Sequence, residues 1–176
     1  MYKLIAIDMD GTLLNEKKEI SDRCKENLLD ENDFMVTYNG ALVQNAKADK
    51  VLKQSPLSLE SYKELYTVSK DLEVNIHALT ENSVLTPWNN PYTHIESTIN
   101  QIPTSEVPIE DIDSSTNIIK VMFIDDPKRL DDSIPLIPDW VETKYSILRS
   151  APIFLEFLEK GVDKGVGVSL IARQLG

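Results

Sequence analysis

Two aspartates one residue apart, Asp8 and Asp10, follow a short apolar run near the start of the chain and precede Gly11 and Thr12. An aspartate carboxylate can attack phosphorus and form an aspartyl-phosphate, which divides one difficult displacement into two easier ones. Glycine lets the backbone turn sharply and approach a phosphate closely. The pattern therefore predicts phosphoryl-transfer chemistry, with Asp8 as the candidate nucleophile and Asp10 within reach of the same site.

A metal ion is expected at the same place, because two carboxylates this close repel each other unless a cation lies between them. Mg²⁺ takes oxygen ligands and neutralises a bound phosphoryl group. The sequence thus predicts Mg²⁺ bound by Asp8 and Asp10. A strand-end turn with two surface aspartates is the alternative. A calcium loop of the EF-hand type is excluded, because Leu13 stands where that loop needs glycine.

The elements before residue 41 predict a crossover unit. The apolar run 4–7 is typical of a strand buried on both faces, as in a parallel sheet. A helix over 20–29, with Ser21 as its N-cap, and a second strand over 34–38 complete the unit. Because ligands of such sheets bind beyond the carboxyl ends of the strands, Asp8 would lie at the binding edge.

From residue 41 onward the pattern becomes a mixed α+β one. Two strands are predicted on either side of a polar turn in 41–58, and further strands over 74–79, 84–88, 117–124, 145–148 and 154–158. Helices are predicted over 59–72, 127–137 and 163–175, and another helix follows the turn at 89–91. Ser58 or Ser61 could cap the helix that begins at 59. We therefore expect a discontinuous α/β core, 1–40 and 156–176, with 41–155 inserted as a second domain.

The composition narrows the classes of partner. The formal net charge is -11, with 41% hydrophobic and 27% charged residues. A surface with this negative charge repels phosphate backbones and anionic lipid. We therefore expect neither a nucleic acid nor a membrane partner. Cys24 is the one cysteine, a usage that fits a reducing compartment, and a cytoplasmic location is expected.

The segment "DMDGT" at 8–12 resembles the first motif, D-x-D-G-T, of the haloacid dehalogenase superfamily of phosphatases. The resemblance implies an α/β core of that superfamily's Rossmann-like type with an inserted α+β cap of the C2 type. It also implies that Asp8 is the nucleophile and Asp10 the general acid and base. An Asp8 side-chain oxygen and the Asp10 backbone carbonyl would then bind Mg²⁺.

Two further segments, "TYNGALV" at 37–43 and "LRSAPIFLEFLEKGVDKGVGV" at 148–168, resemble the passages between core and cap in the Cof-type sugar-phosphate phosphatases of this superfamily. By this resemblance Asn39 and Gly40 line the hinge near the active site. Lys164 would be the third-motif lysine that binds the phosphoryl oxygens, with Gly11 and Thr12 as further phosphate contacts. A compact, positively charged ammonium suits that role.

Part of the family pattern is missing. The second motif is a Ser or Thr at the end of the next core strand, and residues 21–33 are too few to hold two successive crossovers. The acidic fourth motif after Lys164 is also not found. We expect these residues to be the ordered part of a longer protein, with the residues on either side of a missing segment joined near Leu28-Leu29. A truncated chain and a degenerate gene product are the alternatives. A contiguous chain would show negligible catalysis, weak Mg²⁺ binding and uncovered apolar surface.

The sequence thus predicts a Mg²⁺-dependent phosphatase of small phosphorylated metabolites, such as sugar phosphates. A catalytically inactive, truncated relative that binds a ligand or partner is the alternative. Two other titratable residues are expected to be structural. His77 lies in a strand pattern, where it would pack or face solvent, and Glu156 is expected to be a strand carboxylate, with a substrate contact as the second possibility.

Overall fold

The computed structural model describes residues 4–15, 19–28, 30 and 32–176, and of residues 10, 11, 27 and 28 the backbone alone. The helices are α1 (Asp22–Leu28), α2 (Leu59–Asp71), α3 (Pro91–Asn100), α4 (Pro127–Ser133), α5 (Asp139–Lys144) and α6 (Lys164–Leu175). The strands are β1 (Phe34–Thr37), β2 (Leu42–Asn45), β3 (Val51–Gln54), β4 (Ile76–Leu79), β5 (Val84–Thr86), β6 (Thr104–Glu106), β7 (Lys120–Ile124), β8 (Tyr145–Ala151) and β9 (Phe154–Glu159).

The chain divides into two compact units. Unit 1 comprises Met1–Gln54 and Lys164–Gly176, and unit 2 comprises Ser55–Asp163. Both boundaries between the units, after Gln54 and after Asp163, come later in the chain than the predicted boundaries after 40 and after 155. The reason is strand pairing, because β2 and β3 join β1 in one sheet and β9 lies inside the sheet of unit 2. The interpretation of the two units as core and cap stays a prediction.

Unit 1 contains a three-stranded antiparallel sheet in the order β1-β2-β3. The predicted strand at 4–7 is wrong, since these residues form no strand and the Ile5 side chain is 74% exposed. A buried parallel strand needs neighbours that accept its backbone hydrogen bonds and helices that cover its faces. Among the described residues, no strand pairs with this apolar run and no helix covers it, so the predicted crossover unit does not form.

Several local predictions are confirmed. Ser21 precedes α1, and its hydroxyl accepts a hydrogen bond from the Cys24 N–H at 3.3 Å. Ser58 caps α2 by accepting from the Ser61 N–H at 3.1 Å. The hairpin β2–β3 surrounds the predicted polar turn. The sequence missed the short polar strand β6 and the helix α5, and Leu29, at the predicted join, lies outside the described residues.

Unit 2 is built on a six-stranded sheet in the order β6-β5-β4-β7-β9-β8. Its neighbouring strands are antiparallel, except for β5 and β6, which are parallel. One face packs in a cluster of buried apolar side chains that includes Tyr62 and Leu65 of α2 and the ring pair Phe123–Phe157, with centroids 4.5 Å apart. Among the described residues, the helices are too short or too polar to span a lipid bilayer.

Buried polar side chains occupy the opposite face of this sheet. The Lys120 ammonium lies 3.1 Å from a Glu96 carboxylate oxygen and 3.0 Å from one of Glu156. The Ser150 hydroxyl also donates to Glu156, at 2.7 Å. Glu156 is therefore a buried structural carboxylate, as its strand position predicts. His77 is fully buried in the same layer, so the prediction that it packs in the fold is confirmed.

The buried His77 leads to a prediction about pH. Burial, with a smaller effect from the Lys120 charge, lowers the pKa of His77 to about 3. Between that value and its ordinary pKa of about 6.5, the unfolded chain binds a proton that the folded chain does not. Stability should therefore fall as the pH falls through this window, by at most about 1.4 kcal/mol per pH unit from this residue.

In the variant His77→Gln, this contribution to the pH dependence should disappear. Urea unfolding at about pH 7 and at about pH 4 would measure it as a smaller difference in the free energy of unfolding. His94→Gln is the matched control, because the His94 side chain is exposed. An unchanged pH dependence in His77→Gln would contradict the prediction.

Candidate active site

Two sequence-predicted site residues, Asp8 and Lys164, lie in direct contact in unit 1. The Lys164 Nζ donates to Asp8 Oδ1 at 3.2 Å, although the residues are 156 positions apart in the chain. Their side chains are 65% and 60% exposed, so the pair contributes at most about 1 kcal/mol to stability. The importance of the pair is therefore its geometry, because it brings a candidate nucleophile and a cation to one place.

The segment after Asp8 folds as a turn of π-helix over Met9–Leu13. The Leu13 N–H donates to the Asp8 carbonyl at 3.2 Å, and the Leu14 N–H donates to the Met9 carbonyl at 2.8 Å. Such turns are rare and are frequent at functional sites. In a wide turn of this kind, the first N–H groups have no partner within the turn itself.

The remaining residues of the motif lie within this turn. Thr12 is exposed, as a phosphate contact would require. Asp10 and Gly11 belong to the turn through their backbone, and the Asp10 side chain lies outside the described part of the chain. The proposed role of Asp10 as general acid and base therefore stays a prediction.

Asn39 and Gly40 lie in a 3₁₀ turn, Tyr38–Gly40, that contacts α6, the helix that begins with Lys164. The three residues have φ angles of 49°, 54° and 101°. Glycine and asparagine tolerate this left-handed region, but a tyrosine adopts it only when its surroundings enforce it. Strained backbone of this kind is concentrated at functional sites. Sequence reasoning found Asn39 and Gly40 and missed the strain at Tyr38.

Lys164 and the N-terminus of α6 bring positive charge to the Asp8 carboxylate in a chain of net charge -11. The N-terminus of α6 contributes the partial positive charge of the helix dipole, and Lys164 adds a full positive charge at the first helical position. A cation at this end of a helix opposes the helix dipole, so it weakens the helix while it strengthens the attraction for an anion. The arrangement suits a phosphoryl group beside Asp8.

The oxygen ligands available to Mg²⁺ are few. Among the residues whose side chains the structure describes, no three His, Cys, Asp or Glu residues gather at one point. Mg²⁺ often binds through one or two carboxylates and takes its other ligands from phosphate and water. The exposed Asp8 carboxylate, with Asp10 two residues away, fits that kind of site rather than a cage made of protein ligands.

One residue of the site that the sequence did not single out is Gly167 of α6, which lies against Val36 of β1. A Cβ atom at Gly167 would lie 2.5 Å from Val36 Cγ1 and 3.3 Å from Cγ2. Side chains do not approach so closely, so the helix and strand can pack at this distance only with glycine. The signal in the sequence is the pair of glycines in the first turns of α6, but their spacing alone does not show a close contact.

Comparison with known proteins identifies the family. A family model described as haloacid dehalogenase-like hydrolase matches residues 5–33 and 25–176. "Putative phosphatase YxeH" of Bacillus subtilis is 34% identical, over 100% of this chain and 77% of the relative. A haloacid dehalogenase-like hydrolase of Bacteroides thetaiotaomicron superposes with a TM-score of 0.84 at 24% identity, over 100% of this chain and 78% of that one. The sugar phosphatase BT4131, of subclass IIB, superposes with a TM-score of 0.64 at 21% identity, over 96% and 74%.

The same matches bear on the predicted join near Leu28-Leu29. The alignment with YxeH extends over 208 positions, 32 more than the 176 residues of the chain. The two matches of the family model overlap at 25–33, the stretch that includes the predicted join near Leu28-Leu29. These observations support the prediction that an internal segment of the family's core is missing at this point.

The fold class predicted from the sequence is confirmed by the structural neighbours, and the predicted enzyme class is confirmed by the family match and the phosphatase relatives. The Cof-type assignment is confirmed by the match to this family model. The chain therefore belongs to the haloacid dehalogenase-like hydrolases.

Proposed function

We propose that the protein is a Mg²⁺-dependent phosphatase that hydrolyses small phosphorylated metabolites, such as sugar phosphates, through an aspartyl-phosphate on Asp8. The observation that carries the proposal is the contact between Asp8 and Lys164 at the entrance to a π-helical turn. The relatives support the substrate class, since one is described as a phosphatase and a structural neighbour as a sugar phosphatase.

The proposed reaction has two steps. In the first, an Asp8 carboxylate oxygen forms a bond to phosphorus while the bond to the leaving-group oxygen breaks, and Asp10 protonates that oxygen. In the second, Asp10 removes a proton from water, and the water oxygen forms a bond to phosphorus while the bond from Asp8 to phosphorus breaks, which releases inorganic phosphate and restores the Asp8 carboxylate. Lys164 and the N–H groups of the turn stabilise the negative charge on the transferred oxygens.

The other residues of unit 1 have supporting roles in this proposal. Thr12 and Gly11 would contact the phosphoryl oxygens, and Asn39 and Gly40 would line the site beside α6. Bound Mg²⁺, held by Asp8 and Asp10, would neutralise phosphoryl charge and so reduce the repulsion between the substrate and the Asp8 carboxylate. Unit 2 would act as the cap that selects the substrate, and the location would be cytoplasmic.

An inactive, ligand-binding relative is the second candidate, and two observations favour it. The apolar segment before Asp8 is exposed, and the relatives contain an internal segment that this chain lacks. A site without that segment would keep the Asp8–Lys164 contact but would lack the second-motif hydroxyl for the phosphoryl group. Such a protein would bind phosphorylated sugars without hydrolysing them.

Removal of the metal separates the two candidates. Phosphate release from p-nitrophenyl phosphate and from a panel of sugar phosphates should require Mg²⁺, stop on addition of EDTA and return when Mg²⁺ is restored. Ca²⁺ should not replace Mg²⁺, because it prefers longer bonds and more ligands. Equal release with EDTA would contradict the metal requirement. No release, together with a sugar-phosphate-dependent rise in melting temperature, would support the inactive binding protein.

A further inference from the structure

We propose that Gly167 is a positioning residue that sets the distance between α6 and β1 and thereby holds Lys164 at Asp8. The catalytic meaning of this inference rests on the proposed function, but the placement itself can be tested without any activity. Neither the sequence motif nor the reaction assigns a role to this glycine.

The first step of the argument is the close approach of helix and strand. A Cβ at Gly167 would lie 2.5 Å from Val36 Cγ1 and 3.3 Å from Cγ2. Valine branches at Cβ and is stiff at χ1, so Val36 is a poor candidate to rotate away. Alanine at 167 would therefore push α6 away from β1, although helix propensity by itself favours alanine over glycine.

The second step is the helical geometry that connects this contact to Lys164. Residues three apart lie on the same side of a helix, one turn from each other. Lys164, Gly167 and Ile171 therefore share one side of α6, and Gly167 and Ile171 are both buried. Because Lys164 is at the first position of the helix, an outward shift at Gly167 moves its ammonium away from Asp8 as well.

The third step is the weakness of the Asp8–Lys164 contact itself. Both side chains are more than half exposed, so solvent and salt screen their attraction. The ion pair cannot hold α6 in place against the clash at 167. The packing of α6 on β1 must therefore determine where the lysine lies.

Zero-length cross-linking with a carbodiimide tests the placement, because it joins a carboxylate and an amine only when they are in contact. Tandem mass spectrometry should find Asp8 joined to Lys164 in the unmodified protein. The cross-link between Glu64 and Lys144, two residues of unit 2 that form an ion pair, is the internal control. Gly167→Ala should lose the first cross-link and keep the second.

The rescue variant makes the test specific. Gly167→Ala combined with Val36→Ala should regain the Asp8–Lys164 cross-link, since it removes the two Cγ atoms that the new Cβ would meet. Val36→Ala alone should keep the cross-link. The proposal is overturned if Gly167→Ala retains the cross-link at the unmodified yield, or if the double variant fails to regain it, including the case in which both variants lose the fold of unit 1.

Activity measurements then separate this inference from the proposed function. If the protein hydrolyses phosphate esters, Gly167→Ala should lower kcat/KM by about a hundredfold, as a displacement near 1 Å can, and the double variant should recover it. An unmodified protein that forms the cross-link but releases no phosphate would count against the proposed function and leave the placement by Gly167 supported.

Discussion

Asp8→Asn is expected to lower phosphate release from p-nitrophenyl phosphate by about a thousandfold or more, to the background rate. An amide has nearly the same shape as a carboxylate but is a far weaker nucleophile, so the aspartyl-phosphate cannot form. The contact between residue 8 and Lys164 would also lose its ionic part. Steady-state kinetics with Mg²⁺ present would measure the effect.

Two controls accompany this variant. Asp22→Asn changes an aspartate of α1 whose side chain is 92% exposed, so it should leave the rate unchanged. Acid-quenched protein should carry a phosphoryl group on the peptide that contains Asp8, and Asp8→Asn should not. Equal rates for the protein and Asp8→Asn would exclude Asp8 as the nucleophile.

Lys120→Met is expected to destabilise unit 2 by about 3–5 kcal/mol, the largest effect on stability that we anticipate. The Lys120 ammonium lies between the carboxylates of Glu96 and Glu156, and all three side chains are almost fully buried. Methionine matches the length of lysine but leaves two carboxylates buried without a cation. Denaturant unfolding followed by the fluorescence of the two tryptophans, both in unit 2, would measure the loss.

The controls for Lys120→Met separate the charge from the packing. The triple variant Lys120→Met, Glu96→Gln, Glu156→Gln should recover much of the stability, because neutral amides cost less to bury than carboxylates that have lost the Lys120 cation. Lys128→Met removes a lysine whose side chain is 81% exposed, so it should leave the stability nearly unchanged. A loss of similar size in the triple variant would show that the shape of the lysine matters more than its charge.

The parts of the fold that the sequence predicted correctly depend on short-range interactions. Ser58 caps α2 through a residue three positions away, and the hairpin β2–β3 closes over a short polar turn. The strand predicted at 4–7 depends on neighbours that come from distant parts of a core, and in the described part of the chain no strand pairs with it. Its hydrophobic pattern is that of a buried strand, yet a pattern cannot show whether its partners exist.

The candidate site likewise contains features that the sequence predicted and features that it could not predict. The contact between Asp8 and Lys164 follows from the resemblance to the family, because each residue stands in a recognisable motif. The fit of Gly167 against Val36 depends on a distance of a few ångströms between two elements, which no spacing in the sequence encodes. Tyr38 likewise gives no sign of its left-handed backbone, since tyrosine normally avoids that region.

The large apolar cluster formed by residues 57–157 belongs wholly to unit 2, whereas residues 4–7 in unit 1 are exposed. Removal of apolar surface from water is the main source of folding free energy, so resistance to unfolding is distributed unequally along this chain. The carboxylate that would react follows the exposed segment 4–7, so we expect it to lie in a part of the chain that opens at a lower cost than the apolar cluster. Mutations that stabilise unit 2 should therefore raise the temperature of the main unfolding transition. They should leave the local stability of the segment that carries Asp8 unchanged.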